Sequence, residues 1–410
     1  MKFFEVNMSY KKADHLQNVR YEIRGKVADK AAKLKLMGIN ILELNIGNPG
    51  AFGFQVPDTM NMAILRNLDK SAAYCNSKGI FSAREAIVVD TQTQGIKGLD
   101  IENVFLGNGV SELIMMTMEA LLNPGDEMLI PSPDYPLWTA AVSVANGVPK
   151  HYKCDAVNEW QPDLDHMESL ITDKTRGIVV INPNNPTGAI YSDNTLKKII
   201  EIAKKHNLII FSDEIYSKVL FDGTKHTPMA TLTKDVLVVT FNGLSKNYRA
   251  CGFRAGWLYF TGPVDEAKDY IDGLTQLASM RLCSNVPSQW AIQTALGGYQ
   301  SIFDLCGNDG RLKKQRDLTI ECLKNIDGIS CVDPKASLYA FPEIDLSMYK
   351  FNTDEEFIFK FLEEKHVLFV QGSGFNYDRS NAFRVVFLPH SETLSNAFDR
   401  LDDFLKANKR

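Results

Sequence analysis

Lys246 stands at a place in the chain where lysine is uncommon. It follows the apolar segment Val236–Phe241, which is typical of a buried strand, and the run Gly243–Ser245 before it contains a glycine and a serine. Most lysines lie in solvent, because burying a full charge costs free energy. A desolvated amine can lose its proton near neutral pH and attack a carbonyl, forming a Schiff base. The position therefore indicates covalent chemistry, and a surface lysine with a buried stem is the alternative.

Asp213 is a second charged residue at the end of an apolar segment, Ile209–Ser212. A carboxylate there needs a partner, because an unpaired buried charge is costly. One role is to hold a proton on a pyridine-type nitrogen, which would make the ring an electron sink. The alternative is the N-cap of a following helix. Tyr216, three residues on, could direct its hydroxyl at the same ligand or could simply be a packed aromatic residue.

Two further segments carry groups that could bind an anion or an oxygen atom. Gly109-Val110-Ser111 opens a helical pattern, where backbone N–H groups and a hydroxyl favour a phosphate. Arg254 could supply the matching cation, and a surface ion pair is the alternative. The proline-stiffened turn 182–188 would fix the amide of Asn185 as a donor.

Arg384 is embedded in the apolar strand pattern 382–387. A buried guanidinium needs a carboxylate or an equivalent group, which either the protein or a substrate can supply. Bidentate geometry suits the carboxylate of a substrate. Gly47 belongs to the tight turn 47–50 after the apolar segment Ile41–Ile46, and the turn alone would explain it.

The elements that must position these groups alternate between short apolar strands and amphipathic helices. Strands are expected at 127–130, 177–181, 208–212 and 236–241, each followed by a polar loop, with a helix such as Ser192–His206 between two of them. This alternation predicts an α/β fold whose mostly parallel sheet is covered by helices on both faces. Ligands of such sheets bind beyond the carboxyl ends of the strands, so the polar loops should converge there.

The last third of the chain has a different pattern, and predicts a smaller α+β domain. We expect a long helix at Asp304–Asn325, a helix at Asp354–Lys365, and strands at 328–333, 338–344, 367–371 and 382–387. The segment Ile41–Ile46 is too isolated to form a sheet alone, so the N-terminal residues should fold onto this domain. The predicted division is 1–60 and 301–410 in the small domain and 61–300 in the large one.

Composition excludes several classes of protein. The 410 residues are 45% hydrophobic and 23% charged, with a net charge of −5, as in ordinary soluble domains, so no basic field indicates nucleic acid or a membrane surface. No apolar stretch is long enough to span a bilayer, and the N-terminus does not resemble a signal peptide. Seven scattered cysteines without metal-binding spacing favour reduced thiols, no metal and a cytoplasmic location.

Taken together and in order, these motifs resemble the class I/II aminotransferases, which are pyridoxal-phosphate enzymes of fold type I. The resemblance extends from about Asn45 to Arg384. Each motif is weak alone, but their order and spacing are specific. The fold implied is a large domain with a seven-stranded sheet, and the implied partners are amino acid and 2-oxoacid substrates.

The resemblance also implies a role for each matching residue. Lys246 would hold the cofactor as a Schiff base and carry a proton during the reaction, while Asp213 would pair with the pyridine nitrogen. Tyr216 and Asn185 would contact the phenolic oxygen, and Tyr135 would stack on the ring. The residues implied to bind the phosphate are Gly109, Val110, Ser111 and Arg254, with Tyr74 reaching it from the neighbouring subunit of a homodimer. Those implied to bind the substrate carboxylate are Arg384, Asn185 and the Gly47 backbone.

One position departs from the family pattern. The family usually has Ser-x-Ser-Lys, and here Gly243 occupies the place of the first serine, so one hydroxyl contact to the phosphate is missing. Another group is expected to compensate.

Within the family the chain is most similar to the bacterial glutamate–pyruvate (alanine) aminotransferases. This implies reversible amino transfer between L-alanine and 2-oxoglutarate, giving pyruvate and L-glutamate. A mobile cation, Arg24 beside Tyr21 or else Arg281, could meet the distal carboxylate of glutamate, and an ordinary ion pair is the alternative for both. Aromatic or branched-chain specificity, or a β-lyase on the same scaffold, remain open. A transcriptional regulator with an aminotransferase-like domain would need a DNA-binding module, for which the chain has neither the room nor the charge.

Overall fold

The computed structural model describes residues 10–16, 19 and 25–410, so Tyr21 and Arg24 lie outside the described residues. The strands in chain order are β1 (Leu42–Glu43), β2 (Val104–Asn108), β3 (Glu127–Ser132), β4 (Val148–Lys153), β5 (Thr175–Ile181), β6 (Ile209–Asp213), β7 (Val238–Gly243), β8 (Ala255–Thr261), β9 (Ile329–Ser330), β10 (Tyr339–Ala340), β11 (Glu343–Ile344), β12 (Val367–Leu368), β13 (Val370–Gln371) and β14 (Phe383–Val386).

Helices cover and connect these strands. The α-helices are α1 (Lys26–Leu36), α2 (Asp58–Arg66), α3 (Phe81–Thr93), α4 (Val110–Leu121), α5 (Leu137–Val144), α6 (Leu164–Ser169), α7 (Asp193–His206), α8 (Lys268–Met280), α9 (Val286–Gly297), α10 (Ile302–Cys306), α11 (Arg311–Lys324), α12 (Asp354–Lys365) and α13 (Ser391–Ala407). None of those in the described part of the chain has the length and apolar character needed to cross a membrane.

Seven strands form one large sheet in the order β2-β8-β7-β6-β5-β3-β4. Pairing is parallel from β4 through β7, and β8 runs antiparallel to both of its neighbours. The middle strands are almost wholly buried, as expected for a sheet covered on both faces. The predicted α/β fold with a mostly parallel seven-stranded sheet is confirmed.

The two ends of the chain meet in a second group of small sheets. Strand β1 pairs in parallel with β12, so residue Leu42 lies opposite Val367. A three-stranded sheet has the order β10-β14-β13, and β9 pairs with β11. The N-terminal segment therefore contacts the C-terminal third. The domain boundaries at 60 and 300 stay a prediction.

The predicted long helix Asp304–Asn325 is wrong, because the chain forms two helices there, α10 and α11. The backbone turns between them at Gly307 and Gly310. A Cβ on Gly310 would lie only 2.2 Å from the carbonyl oxygen of Leu305, so the turn depends on a residue without a side chain. Charge and amphipathic pattern continue through this turn, which is why the sequence suggested a single helix.

The predicted strands of the last third are also shorter than expected. The segment 367–371 changes partner at Phe369, because β12 pairs with β1 and β13 pairs with β14. The segment 338–344 is interrupted before β11, where Pro342 has no N–H to donate to a ladder. The apolar runs predicted where these strands lie, but the pairing with neighbouring strands determines where each strand ends.

Candidate active site

A cavity of about 210 Å³ opens at the carboxyl ends of the central strands. Ten of the residues singled out in the sequence line it: Gly47, Val110, Ser111, Tyr135, Asn185, Asp213, Tyr216, Lys246, Arg254 and Arg384. They come from segments that follow β1, β2, β3, β5, β6 and β7, and from β14. The expected convergence of the polar loops on one side of the sheet is therefore observed.

Lys246 extends into this cavity from the turn after β7. Its Nζ donates a hydrogen bond to the carbonyl oxygen of Gly47 at 2.6 Å and lies 3.7 Å from Cys251 Sγ. The amine is thus held between the large sheet and the N-terminal segment. It is not the exposed lysine of the alternative interpretation, because its side chain lines the cavity.

The departure from the family pattern at Gly243 has a local explanation. Gly243 lies opposite Gly256 where β7 and β8 pair. A Cβ on Gly243 would lie 2.9 Å from the carbonyl oxygen of Ala255 and 3.0 Å from Gly256 Cα. The two strands therefore approach too closely for a side chain at this position. Ser245 is the hydroxyl residue of this turn that lines the cavity.

Asp213 ends β6 with its carboxylate buried and directed at the cavity. Trp138 Nε1 donates to Oδ2 at 3.1 Å, and the backbone N–H of Ile215 donates to Oδ1 at 3.3 Å. Burial raises the pKa of Asp213 to about 6, since these two hydrogen bonds compensate only part of the lost hydration. No helix begins after Asp213, so it is not the N-cap of the alternative interpretation.

Among the described residues, no cation forms an ion pair with Asp213, although the carboxylate is only 3% exposed. A buried carboxylate of this kind favours a positively charged partner in the cavity. Such a partner would return the pKa of Asp213 toward its ordinary value, because an opposite charge stabilises the ionised form.

The guanidinium of Arg384 is buried at the opposite side of the cavity. It donates to Asn185 Oδ1 at 3.0 Å and to the carbonyl oxygen of Asn45 at 2.5 Å. Its ζ carbon lies 4.3 Å from the ring centroid of Tyr339 and 4.5 Å from that of Phe375. Because Asn185 uses its carbonyl oxygen here, its amide nitrogen is the group that can donate to a ligand.

Gly109 and Arg254 form a third part of the site, at the start of α4. Gly109 has a φ of 80°, which favours glycine, and a Cβ there would lie 2.3 Å from Arg254 Nη2. Arg254 donates to the main-chain carbonyls of Cys251 and Asn108, at 2.9 and 3.2 Å. Within the described ranges no carboxylate pairs with it, so the surface ion pair of the alternative interpretation is not observed. The first turn of α4 and this guanidinium together suit an anion.

Three predicted residues in the described part of the chain are not among those that line the cavity: Gly109, which lies against Arg254, and Tyr74 and Arg281. Tyr74 is 78% exposed and lies in the segment before α3. Arg281 donates to the carbonyl oxygen of Leu106 at 2.7 Å and lies 3.5 Å from Glu112. These contacts match the ordinary ion pair that was the alternative for Arg281.

Sequence reasoning missed three residues of the site. Trp138 bonds to Asp213, and Tyr339 and Cys251 line the cavity. The pattern Tyr135–Thr139 gave a hint for Trp138, because a buried indole needs an acceptor for its N–H. No feature of the local sequence indicated a functional role for Tyr339, because aromatic residues are common in strands. In the part of the chain that is described, no cluster of His, Cys, Asp or Glu could hold a metal ion.

This fold, with a lysine, a buried aspartate and a buried arginine around one cavity, defines a class of enzyme. The chain belongs to the aminotransferase class I and II family, whose sequence model matches residues 39–401. The family resemblance found in the sequence is thus confirmed, and the protein is an aminotransferase.

Individual relatives make the comparison more specific. The chain is 51% identical over 394 residues to the glutamate-pyruvate aminotransferase AlaA of Escherichia coli K12, covering 96% of this chain and 97% of that one. It is 51% identical over 391 residues to an alanine aminotransferase of Mycobacterium tuberculosis H37Rv, covering 95% and 91%. The crystal structure of an Escherichia coli aminotransferase has a TM-score of 0.97 at 50% identity, covering 98% of this chain and 100% of that one. An alanine aminotransferase from Pyrococcus furiosus has a TM-score of 0.92 at 38% identity, with 97% and 100% covered.

Proposed function

We propose that the protein catalyses reversible amino transfer between L-alanine and 2-oxoglutarate with pyridoxal phosphate as cofactor. The observation that carries this proposal is the convergence of Lys246, Asp213 and Arg384 on one cavity. The substrates are inferred from the relatives, which are named glutamate-pyruvate and alanine aminotransferases at 51% identity.

The residues of the cavity fit this cofactor. Asp213 is a buried carboxylate in need of a positive partner, and a protonated pyridine nitrogen supplies one. Gly109, Ser111 and Arg254 offer backbone N–H groups, a hydroxyl and a cation for a phosphate. Lys246 would hold the aldehyde carbon through its Nζ. Burial and the adjacent Tyr339 hold the pKa of Tyr216 well above its ordinary value, so that its hydroxyl stays protonated and can donate to an oxygen.

Bound pyridoxal phosphate supplies an electron sink that delocalises the charge left when Cα of the amino acid loses its proton. The chain supplies the proton transfers and the orientation. Lys246 Nζ, once displaced by the substrate amine, takes the Cα proton as a general base. Arg384 binds the α-carboxylate in a bidentate manner, and the Asn185 amide adds a further hydrogen bond. The amino group is transferred in two half-reactions, so ping-pong kinetics are expected.

We further infer a homodimer in which Tyr74 reaches the phosphate of the neighbouring subunit. Large apolar side chains are exposed in the part of the sequence around it, Leu65 (62%) and Phe81 (61%), and at the end of α8, Met280 (73%). Ser77 ties this segment to the end of α8, because its Oγ accepts from Ser279 Oγ at 3.3 Å. Exposed apolar side chains in these segments favour burial against another subunit.

The contacts of Arg281 bear on which cation meets the distal carboxylate of the substrate. Arg281 is engaged by Leu106 and Glu112, so Arg24 is the better proposal for a cation that meets the distal carboxylate of glutamate. Arg24→Ala should raise the KM for 2-oxoglutarate more than that for pyruvate. A panel of alanine, aromatic and branched-chain donors would separate the proposed specificity from the alternatives, and acceptor-independent release of ammonia would indicate a β-lyase.

The decisive experiment follows the absorbance of purified protein loaded with pyridoxal phosphate. L-Alanine should bleach the visible band of the bound cofactor, and 2-oxoglutarate should restore it. Lys246→Ala should abolish the cycle, while Lys218→Met, a half-buried lysine outside the cavity lining, should retain it. A Lys246→Ala protein that still completes the cycle would contradict the proposal.

A further inference from the structure

Tyr339 lies where three parts of the site meet: the N-terminal segment, the C-terminal strands and the large sheet. It belongs to β10 and lines the cavity. Antiparallel pairing places Tyr339 opposite Val386, so Arg384, two residues earlier in β14, is its diagonal neighbour on the same face of the sheet. The ring of Tyr339 accordingly lies 4.3 Å from the guanidinium carbon of Arg384. This is a cation–π contact in a desolvated site.

The hydroxyl of Tyr339 points to the large sheet. Its Oη lies 2.8 Å from Tyr216 Oη, and the two rings meet edge to face with centroids 5.8 Å apart. Both side chains are almost fully buried. The pair therefore joins β10 to the segment that follows Asp213.

The same hydroxyl also lies against the N-terminal segment. A Cβ on Gly47 would be only 2.1 Å from Tyr339 Oη, so the glycine leaves the space that the phenol occupies. The carbonyl oxygen of Gly47 is the acceptor for Lys246 Nζ. Tyr339 is thus in direct contact with Tyr216, Arg384 and Gly47, three residues of the proposed site.

The number of protons on the two phenols determines which of them donates the hydrogen bond between Tyr216 and Tyr339. A phenol has a single proton to donate and lone pairs that accept. If Tyr216 donates its proton to an oxygen in the cavity, its own oxygen can only accept from Tyr339. We propose that Tyr339 is a positioning residue of the aminotransferase site: its hydroxyl donates to Tyr216, which directs the Tyr216 proton to the cofactor oxygen, and its ring holds the Arg384 guanidinium for the substrate carboxylate. This inference rests on the proposed function.

The two contacts can be separated by substitution. Tyr339→Phe removes the hydroxyl and keeps the ring, whereas Tyr339→Leu removes both. Tyr377→Phe is the matched control, because Tyr377 is also buried in the same part of the chain and bonds to Glu343 at 2.6 Å, but does not line the cavity. Circular dichroism of each variant verifies that it is folded.

Two readouts apart from activity test the proposal on protein loaded with pyridoxal phosphate. The first is the pH titration of the absorbance of the bound cofactor. A hydrogen bond donated to the cofactor oxygen favours its deprotonated form, so a weakened Tyr216 donor should raise the midpoint, by roughly half to one pH unit in Tyr339→Phe. In a separate measurement of activity, the kcat of Tyr339→Phe should fall about five-fold with an unchanged KM for alanine.

The second readout is the binding of propionate, which has the carboxylate and methyl group of alanine but no amino group, measured by calorimetry. Tyr339→Phe should bind it as the wild type does. Tyr339→Leu should bind it roughly ten-fold more weakly, because the desolvated cation–π contact is lost. A purely structural role would not divide the two effects between the hydroxyl and the ring.

The outcomes are distinguishable. A Tyr339→Phe titration that superimposes on those of the wild type and Tyr377→Phe overturns the hydroxyl role, and unchanged propionate binding in Tyr339→Leu overturns the ring role. Either result in an active wild type contradicts this inference alone. A wild type without the cofactor band or without transamination contradicts the proposed function, and this inference with it.

Discussion

At the scale of single residues, the site depends on charges placed where water cannot reach them. Asp213 and Arg384 are each 3% exposed, yet their situations differ. Arg384 has hydrogen-bond acceptors and aromatic rings around it within the protein. Asp213 has only two hydrogen-bond donors, so burial of its carboxylate costs free energy and raises its pKa to about 6. A cofactor with a protonated nitrogen would remove that cost, so we expect binding and folding to be coupled at this residue.

Replacing Asp213 by Asn should therefore stabilise the cofactor-free protein at neutral pH. Folding raises the pKa of this carboxyl from 3.8 to about 6, so the folded state holds the proton more tightly. The protonated carboxyl therefore contributes stability to the folded wild type, fully below pH 4, and this contribution is lost as the pH rises through 6. The free energy of unfolding of Asp213→Asn relative to wild type should accordingly grow by about 3 kcal/mol from pH 4 to pH 7.5.

Urea unfolding of the cofactor-free proteins at the two pH values measures this difference. The exposed Asp173→Asn serves as control and should show no such change. A difference between Asp213→Asn and wild type that is constant with pH would contradict the prediction. With pyridoxal phosphate bound, the wild type should be more stable to unfolding than Asp213→Asn.

At the scale of elements, glycines decide where strands and helices approach each other or end. Gly243 and Gly256 face each other across β7 and β8, and a Cβ on Gly256 would lie 2.5 Å from the backbone nitrogen of Val110. The start of α4 can therefore lie directly on β8, beside Arg254. Gly310 has the same kind of role at the break between α10 and α11. These positions set the path of the backbone that carries the site.

Gly310→Ala should destabilise the protein, by roughly 1 to 3 kcal/mol, because its Cβ would lie 2.2 Å from the carbonyl oxygen of Leu305. Gly297→Ala is the matched control at the end of α9. A Cβ there meets nothing within 4 Å, and alanine favours helix, so this variant should be as stable as wild type or more so. Thermal unfolding of the two variants compares them directly, and a Gly310→Ala protein as stable as Gly297→Ala would show that the turn tolerates a side chain.

At the scale of the whole molecule, the site requires both ends of the chain to meet over the large sheet. Gly47 and Asn45 follow β1, Arg384 lies in β14, and Lys246 and Asp213 come from the large sheet. The β1–β12 pairing holds the N-terminal segment in place. On the proposed dimer, the neighbouring subunit adds Tyr74, so that quaternary structure and cofactor affinity are linked.

Met280→Asp should disrupt the proposed dimer, because it places a charge among exposed apolar side chains that a second subunit would bury. Sedimentation velocity should show a dimer for the wild type and a smaller species for the variant. The affinity for pyridoxal phosphate should fall in parallel, since Tyr74 of the other subunit no longer reaches the phosphate. Val157→Asp is the control, because Val157 is 94% exposed and lies outside this surface. A monomeric, fully active wild type would contradict the proposal.

The sequence by itself determined the fold class and most of the cavity lining. Strands buried on both faces appear as continuous apolar runs, and a charged residue at the end of such a run, such as Asp213 or Lys246, is a local signal. The order of these signals along the chain identified the family. Helix α12, expected at Asp354–Lys365 and found there, could be predicted for the same reason, because its periodicity is a local property.

Only the tertiary structure decided what depends on contacts between distant segments. Tyr339 reaches Tyr216, Arg384 and Gly47 because strand register brings them together, and nothing in the residues around Tyr339 encodes that meeting. Trp138 reaches Asp213 for the same reason. The break in the predicted helix 304–325 depends on the backbone path of two glycines, and Gly243 depends on how closely β8 approaches. Periodicity and charge record the environment of a residue, whereas its partners are set by packing across the fold.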